Sequence, residues 1–287
     1  MRHVVRHNDS LNLKRVFEGS MIRPPAVAGQ FYSSNPNELA QAVDAFLSPQ
    51  VEKKRALGCV VPHAGYMYSG HVAGALYSTL EIPARLILIG PRHFPRGESL
   101  AILSEGSWAS PLGEAKIDSA LAAELKQEFP RLREDTVAHE REHSLEVQIP
   151  FLQRLRGDFQ FVPIVLGTDR YGVLEELGHA VAKVVAAQSE PVLVVASSDM
   201  NHYESDAITR VKDERAIARV LALDPRGLYD KVRAEEITMC GIAAAVVMLV
   251  AARDLGATSA ELVRYATSGD INGDREHVVG YAGIVIR

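Results

Sequence analysis

The stretch Arg85-Leu86-Ile87-Leu88-Ile89-Gly90-Pro91-Arg92-His93-Phe94 decides the fold class. After Arg85 it is an unbroken apolar run to Gly90, read as a strand over Arg85–Gly90, and a histidine follows a few residues later. Apolar runs without polar alternation mark strands covered on both faces, as in a largely parallel sheet between helices. Runs of the same kind recur at Leu57–Val61, Leu100–Leu103, Phe159–Leu166, Val192–Ala196, Val263–Thr267 and Val278–Ile286. Helical patterns lie between them, at Asn37–Leu47, Ala73–Leu80, Ser119–Glu128, Leu145–Leu155, Val173–Ala187, Ala207–Leu223 and Cys240–Asp254. Alternating strands and helices predict βα units. No repeat, low-complexity tract or linker interrupts residues 21–287, so one α/β domain is expected, with a central mostly parallel or mixed sheet flanked by helices. The last two strands are separated by SGDINGDRE, too short for a helical crossover, and are expected to pair antiparallel at the sheet's edge.

Composition narrows the function. The chain has 287 residues, 47% hydrophobic and 23% charged, which excludes a disordered protein. The longest apolar run, Ile242–Ala252, is too short to span a bilayer. A net charge of −5 argues against a dedicated nucleic-acid binder. Two cysteines, Cys59 and Cys240, exclude a disulfide framework and fit a reducing, cytoplasmic setting. Residues 1–20 differ from the rest: His3, His7, Arg2, Arg6, Lys14 and Arg15 sit in a stretch with little apolar pattern. Met21 is expected to be the natural start, with a flexible basic arm as the alternative.

In open α/β sheets ligands bind beyond the carboxyl ends of the strands. Three strand ends each deliver a histidine: Pro62-His63-Ala64-Gly65-Tyr66, Pro91-Arg92-His93-Phe94 and Asp199-Met200-Asn201-His202-Tyr203. Any one alone reads first as a solvated or backbone-bonded loop histidine; the shared position points to a site. Neutral imidazole binds borderline metals through one nitrogen while a neighbour fixes the other. Cys240, at the start of a helix beside Gly241, is the candidate third ligand, where the helix N-terminus favours a thiolate; the alternative is a buried, inert thiol. Cys59, inside an apolar strand, reads as core. The run Glu140-Arg141-Glu142-His143-Ser144-Leu145-Glu146 is either a solvated charge run with Ser144 as N-cap, or a loop that turns Glu142 and His143 into the site. Asp199 could orient an imidazole and His202 could move protons near neutral pH, or Asp199 could simply cap the next helix. P-loop, G-x-G-x-x-G, G-x-S-x-G, H-E-x-x-H and paired C-x-x-C motifs are all missing.

Taken together, PPAVAGQFY, VPHAGYMYSG, IGPRHF, EHSLEVQIPFL, SSDMNHY, TMCG and the closing YATSGD and VGYAGIVI resemble the Memo family, also called AmmeMemoRadiSam system protein B, over residues 21–287. The resemblance implies a fold similar to the class III extradiol (LigB-like) dioxygenases, which hold non-haem Fe(II) on two histidines and a glutamate. It implies metal ligands at His63, His93 and Cys240, further site residues at Asp199, His202 and His143, and pocket tyrosines at Tyr66 and Tyr68. Thiolate in place of carboxylate softens the site, suits Fe(II) or Cu, and leaves the ligand itself open to oxidation. Ring cleavage therefore does not travel with the fold. The family's second name implies pathway association with radical SAM and AMMECR1-like proteins. The leading expectation is a metal-dependent oxidoreductase acting on a small or aromatic substrate. The alternative is a non-catalytic metal-, peptide- or partner-binding protein with Tyr66, Tyr68 and Phe94 as contacts. A metal-dependent hydrolase ranks third.

Overall fold

A computed structural model describes residues 21–287. The extension expected over residues 1–20 lies outside the described residues. The strands are β1 (Ile22–Arg23), β2 (Gly58–Val61), β3 (Arg85–Pro91), β4 (Leu100–Ile102), β5 (Ser107–Ser110), β6 (Gly113–Ile117), β7 (Arg133–Glu134), β8 (Gln160–Leu166), β9 (Val192–Ser197), β10 (His202–Glu204), β11 (Ala260–Thr267) and β12 (Val278–Ile286). The helices are α1 (Pro36–Phe46), α2 (Tyr66–Ser78), α3 (Ser119–Glu128), α4 (Val137–Glu140), α5 (Ile149–Leu155), α6 (Tyr171–Ala186), α7 (Asp206–Leu221), α8 (Pro225–Ala234), α9 (Ile242–Asp254) and α10 (Gly269–Asn272).

The centre of the sheet is parallel, in the order β6-β8-β3-β9-β2. Antiparallel β12 then pairs with β2, and β11 lies outside β12. The hairpin expected at the C-terminus forms, and β11 is its outer strand. Alternate side chains of each central strand enter opposite layers. Ile87, Ile89, Val192, Val194 and Ala196 face the layer containing α3, α6, α7, α8 and α9. Leu86, Leu88, Leu193 and Val195 face the layer containing α1, α2 and α5. Full burial of each such aliphatic side chain contributes roughly 1.5–3 kcal/mol, which is why these runs carry no polar alternation.

Two helices differ from their sequence pattern. The spacing predicts α2 from Ala73, yet it begins at Tyr66, directly behind the His63 loop. Gly70 and Gly74, one turn apart, obscure its pattern because they serve close packing: a methyl at Gly74 would strike the carbonyl of Phe46 at the end of α1. The helix expected at Leu145–Leu155 is a 3₁₀ turn over Glu146–Gln148 followed by α5. Helix α9 is buried on all sides, which explains its apolar run. Among the described residues no helix is long and apolar enough to cross a membrane. The carboxyl ends of β2, β3 and β9 lie side by side, and they lead into His63, His93 and Asp199 respectively.

Candidate metal centre

His63 follows β2 and is fully enclosed. Its Nδ1 lies 2.9 Å from Ser197 Oγ. That hydroxyl donates to the carbonyl of Ser144 at 2.7 Å and accepts from Gln148 Nε2 at 3.0 Å. With its proton already committed, Ser197 can only accept from His63, so Nδ1 carries the hydrogen and Nε2 keeps its lone pair. Burial, and then the neighbouring imidazoles, hold the His63 pKa well below its ordinary value, so the ring is neutral.

His93, at the end of β3, is set by Glu142. Glu142 Oε1 is 2.8 Å from His93 Nδ1, and Oε2 accepts the His93 backbone N–H at 2.7 Å. Ser144 N–H also donates to Oε1 at 2.9 Å. Burial opposes charge on Glu142, but these hydrogen bonds and the nearby imidazoles outweigh it and hold the carboxyl down at about 2. An ionised Glu142 accepts only, so His93 also bears its proton on Nδ1 and presents Nε2 free. His202 repeats the pattern: its Nδ1 faces the carbonyl of Thr238 at 2.9 Å, and burial lowers its pKa.

His143 packs against this group. Its ring stacks on His93 with centroids 4.5 Å apart and planes 18° apart, and lies 4.7 Å from the Phe31 ring. Burial pushes its pKa down to about 4. Among the described residues, His63, His93 and His143 offer donor atoms all within 4.8 Å of one another. Cys240 Sγ lies 3.2 Å from His63 Nε2 and outside that trio. Burial, then the Asp199 charge, pushes its thiol pKa up, against the expectation from a helix N-terminus alone. The backbone N–H of Asp199 donates to Cys240 Sγ at 3.3 Å. Two imidazoles, His63 and His93, with Nδ1 engaged, a third ring beside them in His143, and one adjacent sulfur are a donor set that fits a borderline or soft d-block ion.

The comparisons with known proteins bear on this arrangement. A family model described as Memo-like protein matches residues 23–285. A MEMO1 family protein of Pyrobaculum aerophilum is 41% identical, over 92% of this chain and 98% of its own. The chain belongs to the Memo family. Other Memo relatives include a MEMO1 family protein of Thermoplasma volcanium, 41% identical over 92% of this chain and 98% of its own. One of Methanothermobacter thermautotrophicus is 38% identical over 91% and 99%. Among solved structures, an uncharacterized protein of Escherichia coli K12 shares the fold alone, with a TM-score of 0.53 and 12% identity over 80% of this chain and 100% of its own.

In this Memo-family chain the expected site residues fall unevenly. His63, His93, His143, Asp199, His202 and Cys240 are brought to one end of the sheet. Asp199 does not orient His202: its Oδ1 accepts the backbone N–H of His63 at 2.7 Å, and Thr238 orients His202 instead. Burial raises the Asp199 carboxyl to about 7. Tyr66 belongs to the core rather than to a pocket, packed among Tyr32, Phe46 and Phe151 with its hydroxyl donated to Val147. Tyr68 is half-buried against Tyr281 and Val72. The reading of residues 140–146 as a solvated run is overturned: Glu142, Ser144 and Glu146 are buried, and Ser144 caps no helix. Sequence reasoning missed Ser197 as the partner of His63, Gln148 as the donor that holds Ser197, and Thr238 as the partner of His202.

Gly241 sets the position of Cys240. Its N–H donates to Ser198 Oγ at 3.0 Å, and a methyl at Gly241 would strike the Ser197 carbonyl and the Ser198 side chain. Gly241→Ala is therefore expected to lower stability by about 1–3 kcal/mol, as overpacking does, and to slow reaction of Cys240 with thiol reagents or alter its metal ligation. Wild-type melting and thiol reactivity in this variant would show that the contact is not limiting.

Proposed function

We propose that this cleft binds Fe(II), or copper, on His63, His93 and Cys240, and that the protein is a metal-dependent oxidoreductase for a small or aromatic substrate. The observation that carries the reading is the uniform commitment of Nδ1. His63, His93 and His202 each direct Nδ1 to a fixed acceptor, so their Nε2 atoms stand free without rearrangement. Ring geometry favours the first two as ligands. An imidazole lone pair lies in the ring plane, so two rings share an ion only where their planes meet. The plane of His63 crosses those of His93 and His143 at 80° and 81°, whereas His93 and His143 are nearly parallel. Only one of those two therefore shares an ion with His63, and His93, whose Nδ1 is fixed on Glu142, is the better prepared. His143 thus reads as a wall of the site, despite its closeness, and the Cys240 sulfur beside His63 Nε2 supports the third position.

A bound ferrous or cuprous ion would supply redox chemistry that the side chains lack. The chain's part is to orient and to move protons. His202 Nε2, with Nδ1 anchored on Thr238, accepts or returns a proton, and half-buried Tyr68 faces the same region as Tyr281. Metal analysis of protein purified anaerobically without a histidine tag tests the reading. About one ion per chain is expected for a single site, lost in His63→Ala and in Cys240→Ser. Full metal content in either variant would overturn the assignment of that ligand.

A second reading is a metal- or ligand-binding protein without turnover. Tyr203 favours it: the residue is 75% exposed beside His202 and holds a φ of 64°, a costly backbone for a tyrosine. An exposed, strained aromatic at a site mouth is suited to ligand contact. Oxygen uptake with catechols would favour the enzyme, and metal binding without uptake of oxygen by any such compound would favour the binder.

A further inference from the structure

Arg23 is a charged side chain only 7% exposed, in the short strand β1. Its guanidinium addresses a single distant segment. Nε donates to the carbonyl of His139, Nη2 to the carbonyl of Glu142 and Nη1 to the carboxylate of Glu146, each at 2.7 Å. The guanidinium lies over Trp108, 4.1 Å from the ring centre. Glu146 returns the contact to the Arg23 side. Its oxygens accept the N–H groups of Ala26 and Val27 and the hydroxyl of Tyr32, at 2.8, 3.0 and 2.7 Å. The latch therefore closes both ways between residues 23–32 and 139–146.

The middle of that segment is Glu142. Its carbonyl is held by Arg23 while its carboxylate holds His93 at both the backbone N–H and Nδ1. The carboxylate sits on three donors at 2.7–2.9 Å, a fit that a small displacement of the backbone would break. From this we infer that Arg23 is a positioning residue for the metal centre: it fixes the backbone of Glu142 so that the carboxylate stays on His93 Nδ1 and Nε2 stays free. The inference rests on the reading of His93 as a metal ligand. Lysine could not replace this arginine, because one ammonium cannot reach three acceptors arranged for a planar fork.

The test uses the metal-free full chain and reads the ¹⁵N shifts of the His93 imidazole. Wild type is expected to show a single Nδ1–H tautomer. In Arg23→Lys both tautomers are expected, with about a tenfold or greater loss of metal affinity, as for other groups that orient a ligand. Arg85→Lys serves as the control. Arg85 forms a similarly enclosed pair with Asp118, at 2.6 Å, beside the amino ends of the strands. It should lower stability and leave His93 unchanged, which separates positioning from general destabilisation. Should Arg23→Lys fail to fold, Trp108→Phe loosens the guanidinium without removing its charge and is expected to shift His93 in the same direction by less. A folded Arg23→Lys protein with the wild-type His93 tautomer overturns the inference, as does an unchanged His93 in Trp108→Phe if the lysine variant does not fold. Wild type that binds no metal would instead sink the metal reading and leave the tautomer comparison standing.

Discussion

Glu142→Gln should weaken metal binding about 10- to 100-fold while leaving the chain folded. The carboxylate meets only donors: the His93 N–H on one oxygen, and His93 Nδ1–H and Ser144 N–H on the other. A carboxamide has one accepting oxygen and one NH₂ group. If the NH₂ replaces Oε2, it confronts the His93 backbone N–H. If it replaces Oε1, it confronts the Ser144 N–H and forces His93 into the Nε2–H tautomer, which blocks the donor atom. Either orientation leaves a buried donor without an acceptor, a loss of about 1–3 kcal/mol. Chelator competition for Fe(II) or Zn(II), beside thermal denaturation of the metal-free protein, separates the two effects. An unchanged affinity in a folded Gln variant would mean that Glu142 does not set the His93 tautomer, and the carboxylate–imidazole argument would fall.

That residue also marks where the sequence stops being readable. The central strands were legible because burial on both faces leaves continuous apolar runs, and Arg85–Pro91 differs from its expected span by one residue. His63, His93 and His202 were legible as candidates because strand ends are where such folds place ligands. What makes them a site was not legible. Ser197 lies 134 residues from His63, and Glu142 lies 49 from His93. A charge run such as Glu140–Glu146 looks solvated unless its partner is known, and the partner Arg23 stands 123 residues away from Glu146. Helix α8 was missed for a different reason. Only Leu228 and Val232 of its short span give an apolar stripe, although Asp224 before Pro225 offered a cap that reads locally. Tyr66, a pocket residue in the expectation drawn from the Memo resemblance, lies instead in the core, because the early start of α2 turns it there.

His143→Phe is expected to keep the metal and to make the metal-free protein more acid-stable relative to wild type. The ring of His143 is largely enclosed, stacked on His93 and beside Phe31, and its folded pKa is about 4 against an ordinary 6.5, because burial disfavours the imidazolium. The unfolded chain therefore binds a proton that the folded chain refuses between those values. The neutral ring's contribution is complete above pH 6.5 and is lost as pH falls toward 4, a change of about 3 kcal/mol. Glu142, 3.8 Å from His143 Nδ1, and Glu146 favour the charged ring but do not overcome its burial. Asp199 and Asp213, both raised to about 7 by burial, act in the opposite sense. They are present in both proteins and cancel to first order in the difference. Phenylalanine preserves the stack and has nothing to protonate. The stability difference between variant and wild type should therefore move in the variant's favour by about 3 kcal/mol between pH 7 and pH 4. A flat difference would show that His143 is already accessible to protons in the fold. Metal content reads the other half of the argument. On the proposed reading, in which His93 and not the near-parallel His143 shares the ion with His63, the variant should hold as much metal as wild type. Loss of metal in His143→Phe, with retention in Cys240→Ser, would exchange the two and make the third ligand an imidazole rather than a thiolate.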